Sequence, residues 1–265
     1  MPEPAASAEV LLAELLGVRR SELTSWPGPL SEEQTALYED WISRRTDREP
    51  VQRILGCAYF RNLRLELDEH VLIPRPDTES VVDAALEAID HRGVACRVLD
   101  VGTGSGAIAI SIAQERPSCD VHATDYSEGA LRIARCNAAR SRTKVRFHRA
   151  DLTSGLYALE GSVGLLVSNP PYVRSGDISD LAPEVRDWDP HSALDGGLDG
   201  LNFYRRIFAE AAPLLAEGAD VVLEVGIGQA DGVLEIGRRA GYTPLGTYPD
   251  LAGTPRTALL CWGSG

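Results

Sequence analysis

Apolar residues recur at helical spacing near the start of the chain. Val10, Leu11, Leu12, Leu15, Leu16 and Val18 form one stripe over residues 8–18, with Gly17 near its end. Trp26-Pro27-Gly28-Pro29 breaks either regular structure. Ser31 with Gln34 reads as a capping box, and the helix it opens carries the i,i+4 pairs Leu37/Trp41 and Tyr38/Ile42 before fading in the charged run 44–49. From Pro50 the period drops towards two. Ile54 to Leu67, with Leu63, Leu65 and Leu67 alternating after the polar pair Arg61-Asn62, predicts a hairpin. Pro74-Arg75-Pro76 can be neither helix nor central strand, so it reads as a stiff connector. A helix capped by Asp77 or Thr78 follows over 78–89.

From residue 97 onward short apolar strands alternate with helical segments. The strands are expected at 97–101, 119–124, 144–149, 163–167 and 221–225, and the helices at 107–116, 127–139, 199–215 and 229–240, with a long loop over 173–198. This rhythm predicts an α/β fold, a parallel sheet covered on both faces. Two last strands, 243–248 and 257–262, are joined by a loop too short for a helical crossover, so the final strand is expected to run antiparallel. The chain thus divides into a helical module at 1–50, a hairpin linker at 51–74 and an α/β domain at 75–265.

Composition narrows the function classes. A chain of 265 residues, 44% hydrophobic and 25% charged, fits one large globular unit or one large plus one small. Its formal net charge of −13 argues against a broad nucleic-acid footprint, which is usually basic. Cys57, Cys96, Cys119, Cys136 and Cys261 are scattered without a C-x-x-C, so neither a zinc site nor a disulfide framework is indicated. None of the five histidines has metal-ligand spacing, and no metal is expected. No apolar run is long enough to span a bilayer and no signal-peptide pattern opens the chain, so no membrane association is expected and a cytoplasmic location is.

Two stretches carry chemistry. The first is Asp100-Val101-Gly102-Thr103-Gly104-Ser105-Gly106, a strand feeding a glycine turn and a helix. Glycines let a ligand touch the backbone, and the helix N-terminus supplies free N–H groups. Asp125 ends the next strand, where an acid accepts hydrogen bonds from ribose hydroxyls. The spacing G-x-G-x-G, with an acid two residues ahead, resembles the S-adenosylmethionine cradle of Rossmann-like methyltransferases; a nicotinamide dinucleotide is the second reading. The second stretch is Asn169-Pro170-Pro171-Tyr172, directly after the 163–167 strand. By itself it reads more readily as a turn that follows a strand. Paired with the cradle, the Asn169 side-chain oxygen and the Pro170 carbonyl become two acceptors for a planar –NH₂. Proline adds no N–H to compete, and Tyr172 is expected to wall the pocket by stacking.

Together these motifs resemble the release factor glutamine methyltransferases, over nearly the whole chain. The resemblance rests on Glu49 to Gly56, Phe60, Ile73-Pro74-Arg75-Pro76-Asp77-Thr78-Glu79, the glycine cradle, Ser168 to Tyr172, Asp195 to Leu201 and Pro249 to Gly253. It implies a Rossmann-like seven-stranded catalytic domain and a helical domain over 1–50 that helps grip the substrate. It also implies N5-methylation, from S-adenosylmethionine, of the glutamine in the Gly-Gly-Gln motif of peptide chain release factors. Carried over by position, Gly102, Thr103, Gly104, Ser105, Gly106 and Asp125 bind the cofactor, Asp151 and Leu152 flank its adenine, and Asn169, Pro170, Pro171 and Tyr172 hold the glutamine, with Asn169 also beside the cofactor. Asp77 stands where the family usually has Glu, Leu152 where some members have an aromatic residue, and Arg186-Asp187-Trp188-Asp189-Pro190 where an aromatic-Glu-Pro is usual. Glu79 reads either as a helix N-terminal charge or as a cofactor contact. Alternatives are a ribosomal-protein glutamine methyltransferase, an adenine-N6 nucleic-acid methyltransferase, since such enzymes share Asn-Pro-Pro-Tyr, and a binding module that keeps the fold without catalysis.

Overall fold

The computed structural model describes residues 4–93, 96–250 and 252–263; Leu251, part of the C-terminal loop motif, lies outside them. Helices α1 (Pro4–Leu16) and α2 (Glu32–Thr46) pack together, tied by the Tyr38 hydroxyl donating to the Ala8 carbonyl at 3.2 Å. The expected capping box opens α2: Ser31 Oγ accepts from Gln34 N at 3.1 Å and Gln34 Oε1 accepts from Ser31 N at 2.9 Å. A short α3 (Val51–Leu55) follows and ends at Gly56 in the left-handed region, φ 66°. Ile54 therefore lies in a helical turn, and the hairpin begins three residues later than the alternation predicts. Strands β1 (Cys57–Phe60) and β2 (Leu63–Glu66) pair antiparallel around Arg61-Asn62, burying Phe60, Leu63 and Leu65.

Helix α4 (Glu79–Arg92) leads into the main sheet. Its parallel strands are β3 (Arg97–Val101), β4 (Asp120–Asp125), β5 (Val145–Arg149), β6 (Val163–Ser168) and β7 (Leu215–Glu224). Between them lie α5 (Ala107–Glu115), α6 (Glu128–Arg140), the single turn α7 (Pro183–Arg186) and α8 (Asn202–Ala211); α9 (Ala230–Arg239), β8 (Tyr242–Pro249) and β9 (Pro255–Trp262) complete the chain. The order is β5-β4-β3-β6-β7-β9-β8, seven strands, with β9 antiparallel to both its neighbours as expected. Antiparallel pairing lets β9 slot between β7 and β8, which leaves β8 at the edge. Pro244 and a register shift there disrupt the ladder that a foreign strand would extend.

Alternate residues of each strand feed two cores. Val98, Leu165, Val167 and Val222 pack with α4 and α5, while Leu99, Leu166, Val221 and Leu223 pack with Tyr204 and Phe208 of α8. Residues 199–215 are not one helix: Pro213 falls in a 3-10 turn after α8, and Leu215 already begins β7, six residues before the expected strand start. Polar Glu217 and left-handed Gly218 (φ 68°) hide that early segment from an apolar pattern.

Candidate active site

After β3 the chain winds outward to β4 and β5, then returns to β6 on the other side of β3. Such a reversal leaves a crevice beyond the carboxyl ends of the two central strands. Here it is a cavity of about 370 Å³, lined from the ends of β3, β4 and β6, the connector after β2 and the face of α8.

The glycine turn forms its floor. Gly102 N and Thr103 N both donate to the Thr124 carbonyl, at 2.9 and 2.8 Å, which ties the turn to β4. Gly102 and Gly104 have φ of 74° and 54°, and a Cβ on either would meet nothing within 4 Å. Gly106 differs: at φ 85° its Cβ would stand 2.7 Å from Ile110 Cδ1 and 3.3 Å from Ala134 Cβ, so it serves close packing of α5 on α6. Gly102, Thr103, Gly104 and Ser105 line the cavity and Gly106 does not. Asp125 also lines it; its Oδ2 accepts from Gly104 N and its Oδ1 from Ser127 N, both at 2.9 Å. Burial raises the Asp125 pKa against the pull of these backbone donors. Asp151 lines the wall and pairs with Arg206 at 3.0 Å, beside Leu152, whose backbone is left-handed at φ 51°.

Asn169, Pro170 and Pro171 line the same cavity. Asn169 Nδ2 donates to Thr78 Oγ1 at 3.1 Å, and the Thr78 hydroxyl donates to Glu224 Oε2 at 2.6 Å. The amide's oxygen is thus the end left to a ligand. Tyr172 is a correction to the sequence reading, because it is not part of the cavity wall. Its half-buried ring turns away so that the hydroxyl donates to Glu224 Oε1 at 3.3 Å, while its carbonyl accepts from Gln229 Nε2 at 3.0 Å. Gly196 and Gly200 press on its backbone from outside; a Cβ on Gly200 would lie 2.4 Å from the Tyr172 carbonyl oxygen.

Several residues here escaped the sequence reading. Glu224 ends β7 as a lone acid after Val221-Val222-Leu223, the same signal by which Asp125 ends β4. Asp189 is fully buried at its side chain and holds the connector: its Oδ1 accepts from Ile73 N and Arg53 Nη2, each at 3.2 Å, and its Oδ2 from Arg75 Nη2. Glu184 on α7 accepts from Arg45 Nη2 at 3.0 Å and from Arg48 Nη2 at 2.6 Å, and these arginines hold its pKa down at about 2. The charged run 44–49 is therefore a docking segment as well as the end of α2. Glu79 accepts from Arg61 N at 3.0 Å, bracing the hairpin turn, and does not line the cavity. Asp68, Glu69 and His70 bring their ligand atoms within 4.8 Å of one another, but Asp68 is already engaged by Arg132 at 2.5 Å and by His70 N at 3.0 Å.

Two buried acids set a pH dependence. Burial pushes Asp100 up to about 7, although its Oδ2 accepts from the Thr103 hydroxyl at 2.7 Å and from Ala109 N at 3.2 Å. Burial likewise pushes Glu224 up to about 7 against the Thr78 and Tyr172 hydrogen bonds. The folded protein then holds protons that the unfolded chain releases above about pH 4. This contribution to stability is complete below about pH 4 and is lost as pH rises through about 7. Buried His122 and half-buried His148, lowered by desolvation, act in the opposite sense, so the informative quantity is a difference between variants. Asp100→Asn is expected to gain on wild type between about pH 5 and about pH 8, by on the order of 2 kcal/mol in thermal or urea unfolding. A constant gap across that range would contradict the assignment.

Family models match two stretches of the chain: a PrmC N-terminal domain over residues 1–56 and a methyltransferase small domain over residues 80–184. A solved methyltransferase from Pyrococcus furiosus, 22% identical, superposes with a TM-score of 0.54 over 76% of this chain and 89% of its own. The sheet order, the glycine turn after β3 and Asn-Pro-Pro-Tyr after β6 define a methyltransferase of the Rossmann-like α/β class. Relatives named release factor glutamine methyltransferase narrow the class. The protein from Geobacter sulfurreducens is 40% identical over 94% of this chain and 86% of its own, and that from Streptomyces coelicolor 41% over 97% and 91%. The chain belongs to the release factor glutamine methyltransferase family. Among its described residues no helix is long and apolar enough to cross a membrane.

Proposed function

We propose that this protein transfers a methyl group from S-adenosylmethionine to the side-chain nitrogen of the glutamine in the Gly-Gly-Gln motif of peptide chain release factors. One observation carries the reading: the glycine turn and Asn169 to Pro171 open into one cavity, in a chain whose full-length relatives bear that activity in their names. S-adenosylmethionine, when bound, supplies a methyl group activated on a sulfonium sulfur. The residues fit such a ligand. Gly102 and Gly104 line the cavity and leave space that side chains would fill. Gly102, Thr103, Gly104 and Ser105 offer backbone to it, Gly106 fixes the turn, Asp125 accepts from ribose hydroxyls, and Asp151 with Leu152 flanks the adenine.

Asn169 Oδ1 and the Pro170 carbonyl accept the two N–H groups of the glutamine amide. That nitrogen is a poor nucleophile because its lone pair is delocalised. Two acceptors in fixed positions align it with the methyl and stabilise the positive charge it gains as the methyl arrives. The nitrogen then releases a proton, so no strong base is needed. Pro171 shapes the cavity edge, and Tyr172 fixes the turn from behind. Residues 1–50 act as a recognition module for the release factor, 51–74 as a hairpin linker and 75–265 as the catalytic domain. The enzyme works in the cytoplasm, without a membrane or a nucleic-acid substrate.

Purified protein with methyl-labelled S-adenosylmethionine is expected to label a release factor and neither duplex DNA, RNA nor ribosomal protein. Label on nucleic acid would sink the glutamine assignment.

A further inference from the structure

Both polar side chains of the Asn-Pro-Pro-Tyr turn are anchored on one carboxylate. Tyr172 donates to Glu224 Oε1 at 3.3 Å, and Thr78 donates to Oε2 at 2.6 Å. Having given its only proton to Glu224, Thr78 can face Asn169 only as an acceptor, and Asn169 Nδ2 donates to it at 3.1 Å. Glu224 is 1% exposed and is itself fixed, its backbone carbonyl accepting from the buried Tyr204 hydroxyl at 2.8 Å. Three segments distant in sequence thus converge on one amide: the 3-10 turn before α4, the end of β6 and the end of β7.

We propose that Glu224 and Thr78 are positioning residues for methyl transfer, a relay that fixes the Asn169 amide with its oxygen towards the acceptor nitrogen and strengthens that oxygen as an acceptor. The physical reason is direction. A free asparagine amide can present either end, and its NH₂ end would repel the substrate N–H. Thr78 forbids that flip, because its hydroxyl proton is committed to Glu224. The relay also polarises above about pH 7, where Glu224 is ionised: its carboxylate draws on the threonine O–H, the threonine oxygen becomes a better acceptor, and the Asn169 oxygen gains negative character. That oxygen faces a nitrogen becoming positive, so the effect is larger in the transition state than in the ground state. Glu224 does not line the cavity and acts through Thr78, Asn169 and Tyr172.

This inference rests on the glutamine reading of Asn169, and the two fail differently. Steady-state methylation of a release factor is measured with calorimetric binding of S-adenosylmethionine for wild type, Thr78→Val, Thr78→Ser and Glu224→Gln. Thr78→Val keeps the shape and removes the hydroxyl. It is expected to lower kcat about thirtyfold, with KM for the release factor and cofactor Kd within about threefold of wild type. Thr78→Ser, which restores the hydroxyl, is expected to recover kcat to within about threefold, an outcome that a purely structural role for the methyl would not give. Glu224→Gln keeps the shape but removes the charge and turns one of the two accepting oxygens into an NH₂ donor, and is expected to lower kcat about tenfold. An unchanged kcat in Thr78→Val, or no recovery in Thr78→Ser, overturns the relay while leaving the glutamine reading intact. Should Thr78→Val fail to fold, an unchanged kcat in Glu224→Gln overturns the relay instead. A wild-type chain that labels no release factor sinks the reading and the relay with it.

Discussion

Replacing Asn169 by alanine is expected to lower kcat by about 10²–10³-fold while the Kd for S-adenosylmethionine stays within about threefold of wild type. The variant loses the oriented amide oxygen, since Thr78 holds the nitrogen end of Asn169 at 3.1 Å. An acceptor aimed at charge that develops only in the transition state contributes to kcat far more than to ground-state binding. Cofactor affinity is expected to survive because the contacts proposed for it lie mainly elsewhere, on the glycine turn, Asp125 and the Asp151-Leu152 wall of the same cavity. Equal losses in kcat and in cofactor affinity would show that Asn169 belongs to the cofactor's side of the cavity. Asn169→Asp separates charge from geometry. Its carboxylate has no proton to give Thr78 and is brought towards the buried Glu224, so kcat is expected to fall there as well.

Asp189→Ala is expected to destabilise the protein by about 3–5 kcal/mol, because it leaves a buried guanidinium without its counter-charge. The Arg53 side chain is 7% exposed, and its Nη2 donates to the Val71 carbonyl at 2.5 Å as well as to Asp189. With the carboxylate gone, Arg53 and Arg75 converge on an empty position, and Ile73 N loses its acceptor. For a chain of this size the melting temperature should fall by on the order of 10 °C. The damage should reach function too, since Asp189 holds the connector that carries Arg75 and Thr78 to the cavity. Asp189→Asn keeps an acceptor for Ile73 N and should lie between the two. A melting temperature unchanged in Asp189→Ala would mean that the cluster contributes little to docking the connector.

What could be read from the chain divides along physical lines. Local signals were legible. Ser31 with Gln34 forms its capping box, Ser127 accepts from Ala130 N at 3.2 Å as the cap of α6, and the short loop before β9 does force antiparallel pairing. Glycines at positive φ announce themselves because few other residues tolerate their backbone, so Gly102 and Gly104 were legible as a turn; that Gly106 serves packing follows only from Ile110 and Ala134 beside it. Contacts between distant segments were not legible. Glu224 lies 146 residues from Thr78 and Asp189 lies 136 from Arg53, and no periodicity links such pairs. Tyr172 was read as a wall because an aromatic ring after two prolines fits that role; the buried carboxylate that draws its hydroxyl away has no local sign in the sequence. The charged run 44–49 looked like a fading helix end, since its partner Glu184 sits on a single helical turn far along the chain.

The central claim is that a methyl group moves to one particular nitrogen. The most direct measurement is tandem mass spectrometry of a release factor before and after incubation with the enzyme and S-adenosylmethionine. The account predicts one added methyl group, on the side-chain nitrogen of the glutamine in Gly-Gly-Gln, and none when Asn169 is alanine. A methyl group on any other residue of the release factor, or none on that glutamine with the wild-type enzyme, would contradict it.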